Sequence, residues 1–221
     1  MFPTAAFALL VSVIYRLHFD LLVSDLFYDP TQLAFPARSL FWYKAVLHNG
    51  GNRLMVVFAV VTFGVYLASF GRAALRSWRR GSGYVLLCLC LVTGVVALGK
   101  AVTEIDCPWS LARYGGDKPY VRLFDARPPG VVADGCFPGA HSSGAFALFA
   151  FYFLWRDRRQ RWALRALVGA AALGGLFALT QWIRGAHFVS HDLWSAWLAW
   201  IICLGVYRAF GGPHKSISTM T

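Results

Sequence analysis

The sequence predicts an all-α, polytopic membrane bundle of about six transmembrane helices with a long outer loop, forming one domain over residues 1–221. Three observations predict it. Hydrophobic residues make up 58% of the chain and charged residues 14%, against about 25% charged in a soluble domain. Apolar runs approaching the roughly 20 residues needed to cross a bilayer recur along the chain. Arginines gather between those runs instead of being spread over a surface.

The composition excludes a water-soluble globule, which would lack polar surface. With aromatics at 16% and five cysteines, it also excludes a disordered chain and a small disulfide scaffold. A net charge of +11 invites a nucleic-acid partner, but the charge has a topological explanation. Arg72, Arg76, Arg79 and Arg80 form one cluster and Arg156, Arg158, Arg159, Arg161 and Arg165 another. Each lies between two apolar runs, as cytoplasmic loops do under the positive-inside rule. No nucleic-acid partner is expected.

In order, the first run is residues 3–23, ragged because Arg16, His18 and Asp20 interrupt its second half. Residues 5–15 have the length of a signal-peptide core, but no charged segment precedes them and no small-residue cleavage site follows, so the run reads as a first membrane helix. Residues 53–70, 83–103, 142–155, 163–183 and 187–210 supply the other five. With both arginine clusters inside, the two termini are cytoplasmic, Arg208 and Lys215 add to the inner charge, and the chain from Gly211 is a frayed tail. Residues 24–52, 104–140 and a turn around Arg184 then face outward.

Cys88, Cys90 and Cys203 fall in membrane helices, where they serve as small apolar side chains. Cys107 and Cys136 sit at the two ends of the second outer loop, and in an oxidising periplasm they are disulfide candidates. Two free thiols remain the alternative.

Ionisable residues stand at the outer ends of several runs. Lys100 ends the third, His141 opens the fourth, and Arg184, His187, His191 and Asp192 gather between the fifth and sixth. Polar groups at the hydrocarbon boundary are costly unless paired, so their convergence marks a site. Cations with histidines and a carboxylate suit phosphoryl transfer: Lys and Arg hold anionic oxygens, one imidazole attacks phosphorus and a second protonates the leaving oxygen. No cofactor or metal is required.

These residues resemble the type 2 phosphatidic acid phosphatase superfamily, whose fold is shared with vanadium haloperoxidases and whose motifs are K-x6-R-P, P-S-G-H and S-R-x5-H-x3-D. Lys100 through Cys107-Pro108 is similar to the first, with Cys107 at the arginine position. Pro138-Gly139-Ala140-His141 is similar to the second and keeps its proline and histidine. The stretch from Thr180 through Gly185-Ala186-His187 to Asp192 is similar to the third, with Gln181 replacing the arginine and His191 the aspartate. The resemblance covers residues 100–192.

It implies a membrane lipid phosphatase that hydrolyses a phosphomonoester or pyrophosphate through a phosphohistidine. Substrates in the family include undecaprenyl pyrophosphate, phosphatidylglycerol phosphate, phosphatidic acid and lipid A phosphates. His187 is then the nucleophile and His141 the acid, while Lys100, Arg184 and the loop residue Arg113 bind phosphate. Asp192 orients His187 if the last helix starts late, and His191 does so if that helix is already regular at His187. The implied location is the bacterial inner membrane, multi-pass, with the active site facing the periplasm.

A lipid-to-lipid phosphotransferase uses the same residues. A metal-dependent hydrolase built on His187 and His191 with His141 or Asp192, a haem-bearing electron carrier, and a degenerate lipid-binding member are the other readings. Trp194, Trp197 and Trp200 read as packing and an aromatic belt, Asp20 and Asp25 as solvated charges, and His18 and His48 as surface or interface residues. Asp117, Lys118, Arg122, Asp125 and Arg127 read as a solvated, ion-paired loop.

Overall fold

A computed structural model describes residues 2–210, with side chains from residue 4 onward. Lys215 and the tail expected from Gly211 lie outside the described residues. The regular elements among the described residues are all helical. A bent pair, α1 (Phe2–Arg16) and α2 (Phe19–Asp25), opens the chain. A π-helical stretch, Trp42–Gly50, runs directly into α3 (Gly51–Gly71). Then come α4 (Arg79–Val102), α5 (Ala140–Phe146), α6 (Phe149–Trp155), α7 (Gln160–Ile183) and α8 (Val189–Ala209).

Four helical spans are long and apolar enough to cross a membrane: Trp42–Gly71, Ala73–Val102, Gln160–Ile183 and Val189–Ala209. The α1–α2 pair, bent by 62°, makes up to five. The expected span at residues 142–155 is helical but interrupted, and is not among these long helices. There the chain forms α5 and α6, of 7 residues each, so neither reaches spanning length. At the break, Ala147 O accepts from Ala150 N at 3.1 Å and from the Cys203 thiol at 3.6 Å. A freed carbonyl is tolerated in a membrane protein where neighbouring groups satisfy it, as they do here.

Burial orders the bundle. In α3 only 6% of the apolar window is buried, against 44% in α8, so α3 is peripheral and α8 central. The core joins Tyr84, Cys88 and Val92 of α4 to Ala150 and Phe153 of α6 and to Ala199 and Cys203 of α8. Small residues let the backbones approach closely, and Tyr84 Oη donates to Cys203 O at 2.9 Å. Near its other end α8 touches the chain before α5, with Gly139 N donating to His191 O at 3.1 Å. Trp200 packs on Phe149, Tyr152 and Phe153, while Trp194 and Trp197 enclose Phe7 of α1.

The loop between α4 and α5 is tied internally. Cys107 and Cys136 form a disulfide with Cα atoms 5.3 Å apart. Asp106, buried, pairs with Arg127 at 2.8 Å and Lys118 at 3.4 Å, and Lys118 also reaches Asp134 at 2.5 Å. Arg122 pairs with Asp125 at 2.9 Å.

Candidate active site

The site forms where α5, α7 and α8 meet. The turn Arg184–Phe188 joins α7 to α8, and its shape depends on Gly185. That residue has φ 66°, and a Cβ there would run into the ring of Phe35. Phe188 is extended (φ −83°, ψ 163°), so α8 begins at Val189 and His187 stands before it.

Because α8 starts late, Asp192 lies in its first turn, where an acid is favoured by the helix dipole. Its side chain faces back to His187: Oδ1 is 3.2 Å from His187 Nδ1. Ser142 Oγ donates to the same oxygen at 2.5 Å and Trp182 Nε1 to Oδ2 at 2.8 Å. Three donors from three elements fix a carboxylate that is 1% exposed. A carboxylate can only accept from His187, so Nδ1 carries the proton and Nε2 keeps its lone pair.

Gly139 holds the two together. A Cβ at this position would collide with Asp192 Oδ1 and lie 2.9 Å from His187 Nδ1. With Asp192 and His187 placed as they are in this chain, the residue that follows the motif proline has no room for a side chain, which gives a physical reason for glycine in place of serine there.

His141, at the start of α5, is buried and stacks on Phe177 with centroids 4.6 Å apart. Its Nδ1 is 2.9 Å from Asn52 Oδ1, an acceptor, so Nδ1 donates and Nε2 is left as the second active nitrogen. That Nε2 is buried without a hydrogen-bond partner. Beside it lies His48, with ring centroids 4.5 Å apart. Gln181 Nε2 meets His48 Nδ1 at 3.2 Å, and Gln181 Oε1 accepts from Arg184 Nη1 at 3.0 Å. Arg184 is buried, and burial followed by the nearby positive charge of Arg38 holds its guanidinium below the usual arginine value.

Two imidazoles with free Nε2 atoms, one oriented by a carboxylate, beside a buried guanidinium are a phosphoryl-transfer arrangement. The sequence signature of the PAP2 superfamily matches residues 81–214. The chain belongs to the PAP2 superfamily. Members of that superfamily are phosphatases. No curated protein and no solved structure matches the chain.

Against the PAP2 expectations, the structure sets Asp192 against His187 and Arg184 against Gln181, and it engages the other two expected cations with further groups, while the Lys100 charge still acts on Asp192. Lys100 Nζ donates to Gly135 O at 2.7 Å and lines an outer groove with Ala101, Glu104 and residues 131–135. Arg113 forms a two-pronged pair with Asp25, at 3.0 and 2.7 Å, which raises the arginine further above its usual range. An arginine already occupied by a carboxylate is not free to hold a phosphate. His191 is buried between the edges of Phe137 and Phe188, each 5.3 Å from its ring, and the orienting contact to His187 comes from Asp192.

Among the described residues, the group with metal-ligating atoms within 4.8 Å of one another is Cys107, Asp134 and Cys136, whose sulfurs are joined in the disulfide. The described histidines do not converge in that way.

Several participants were read as bystanders. Asp20, expected to be solvated, is 2% exposed and accepts from Ser190 N and Oγ at the start of α8. Asp25, expected likewise, pairs with Arg113. His48, expected to lack a companion, sits against His141 and Gln181. The available signal, an ionisable residue within an apolar run, applies to Asp20; Asp25 and His48 lie in the outer loop of residues 24–52 and carried no such signal.

Proposed function

We propose that the protein is a lipid phosphatase hydrolysing a phosphomonoester or pyrophosphate through a phosphohistidine on His187, at the periplasmic face of a bacterial inner membrane. The observation that carries this reading is the His187 Nδ1–Asp192 Oδ1 contact of 3.2 Å, which leaves Nε2 as a nucleophile.

In this scheme Arg184 binds the phosphoryl oxygens and neutralises charge as phosphorus becomes five-coordinate. The bound phosphomonoester, arriving as the monoanion, gives its proton to His141 Nε2; His187 Nε2 then forms the P–N bond while the P–O bond to the leaving group breaks, and His141 Nε2 passes that proton to the departing oxygen. Water then attacks the phosphohistidine, His141 takes its proton, the P–N bond breaks and inorganic phosphate leaves. A lipid substrate is supported by the apolar spans around the site. The periplasmic face is supported by the arginine clusters, which lie at the α3–α4 and α6–α7 turns while the site lies at the α7–α8 turn.

The test is phosphate release from a panel of lipid phosphates in detergent by wild type, His187→Ala and His141→Ala, with a labelled substrate to trap an acid-labile, base-stable phosphoenzyme. Release by wild type, lost in His187→Ala together with the label, is expected. Equal release by all three proteins would remove the mechanism.

A further inference from the structure

Two of the positions expected to bring a cation to the phosphate are occupied otherwise. Lys100 is bonded to Gly135 O, and the third-motif arginine position holds Gln181. Arg184 alone is a weak grip for a dianion, and the chain before α3 supplies what is missing. Arg38 ends a short 3-10 turn, Pro36–Arg38, and its exposed guanidinium lies 4.1 Å from the centroid of the Trp109 ring. Trp109 N in turn donates to Gly185 O at 2.9 Å, in the residue next to Arg184. Arg38 is thus held beside the α7–α8 turn, close enough for its charge to act on Arg184.

Among the described residues neither arginine pairs with a carboxylate, and Arg184 Nε is buried without a partner. Two guanidiniums held near each other without a counter-ion repel, and an anion between them relieves the repulsion. His48 faces the same place. Its Nδ1 meets Gln181 Nε2, a donor, so its ring proton is on Nε2.

We propose that Arg38 and His48 bind the phosphoryl oxygens of the substrate, Arg38 taking the part expected of Lys100. The proposal rests on the phosphatase reading for the substrate's identity but not for the binding of the anion. Both residues precede the region that matches the PAP2 signature.

The probe is inorganic phosphate with the full-length protein in detergent. Binding is read as a phosphate-dependent rise in melting temperature and, separately, as product inhibition. Loss of a hydrogen bond to a charged group predicts that Arg38→Ala weakens phosphate binding by about tenfold or more. Arg38→Lys restores part of it, His48→Ala weakens it less, and Lys100→Ala changes it by less than about twofold. Arg38→Gln, which keeps a side chain over Trp109, replaces the alanine variant if that one does not fold. Wild-type phosphate binding in Arg38→Ala or Arg38→Gln, or a larger loss in Lys100→Ala, overturns the proposal. If wild type binds phosphate through Arg38 but releases none from lipid phosphates, the phosphatase reading fails and this inference stands.

Discussion

Asp20 reaches from the α1–α2 pair to the first turn of α8, accepting from Ser190 N at 2.9 Å and Ser190 Oγ at 2.6 Å. The two residues are 170 positions apart. Ser190 lies between His187 and Asp192, so the N-terminal pair holds the backbone that carries the proposed nucleophile and the acid in contact with it. Removing a buried acceptor leaves two donors unsatisfied, which costs about 1–3 kcal/mol. Asp20→Ala is expected to lower the melting temperature and to reduce kcat more than KM. Asp20→Asn, which keeps one acceptor oxygen, is expected to recover part of both in thermal and steady-state measurements.

The His187–Asp192 contact gives a sharper prediction. In a comparable histidine–carboxylate pair, replacing the carboxylate by an amide costs about 10⁴ in kcat through the wrong tautomer. Asp192→Asn is therefore expected to abolish nearly all turnover while the protein still elutes as a folded species. His191→Gln is expected to cost far less activity, because Asp192 makes the orienting contact. Equal losses in the two variants would refute the assignment.

Gly139 is a third test. One methyl group added here collides with the Asp192 carboxylate and crowds His187. Gly139→Ala is expected to remove phosphate release more completely than Ala140→Gly, a neighbouring change that adds no atoms. Activity assays on the two proteins side by side check this.

The disulfide closes a loop whose ends are 29 residues apart. Loop-closure entropy puts the stabilisation at about 3–4 kcal/mol. A reducing agent, or Cys107→Ser with Cys136→Ser, is expected to lower the melting temperature and to speed proteolysis between residues 108 and 135.

The same loop carries a pH dependence. Burial alone raises the Asp134 carboxyl, but the hydrogen bonds from Lys118, Ser110 and Cys107 N outweigh it, and the net direction is downward. A carboxyl lowered by folding contributes stability above its unfolded value, about 3.9, and that contribution disappears as the pH falls through the lower folded value. Loop proteolysis by an acid-tolerant protease is expected to be steady from pH 7 to 5 and to rise below about pH 4. In Asp134→Asn the rise is expected to be smaller.

How far the site was legible depended on the range of each signal. His187, His141 and Arg184 stood out because three motifs lie within one stretch of chain and carry their own spacing. Asp192 against His191 was open, since it turned on whether α8 starts before or after His187. The extended Phe188 and the Gly185 turn, packed against Phe35, settle that. For Lys100 and Arg113 the sequence showed a charge but not its partner. Gly135 O and Asp25 are those partners.

The sequence by itself determined that the chain is helical and apolar, which ends of its helices carry the arginines, and which histidines are candidates for the chemistry. These follow from composition, run length and local spacing, which are properties of neighbouring residues. Only the tertiary structure decided that residues 140–155 break into two short helices, that Asp192 faces His187, and that Asp20, Arg38, His48 and Asn52 crowd the site from the N-terminal part of the chain. Those are contacts between distant segments. They arise because a buried polar group must find its partner wherever packing places one, and no local pattern records where that is.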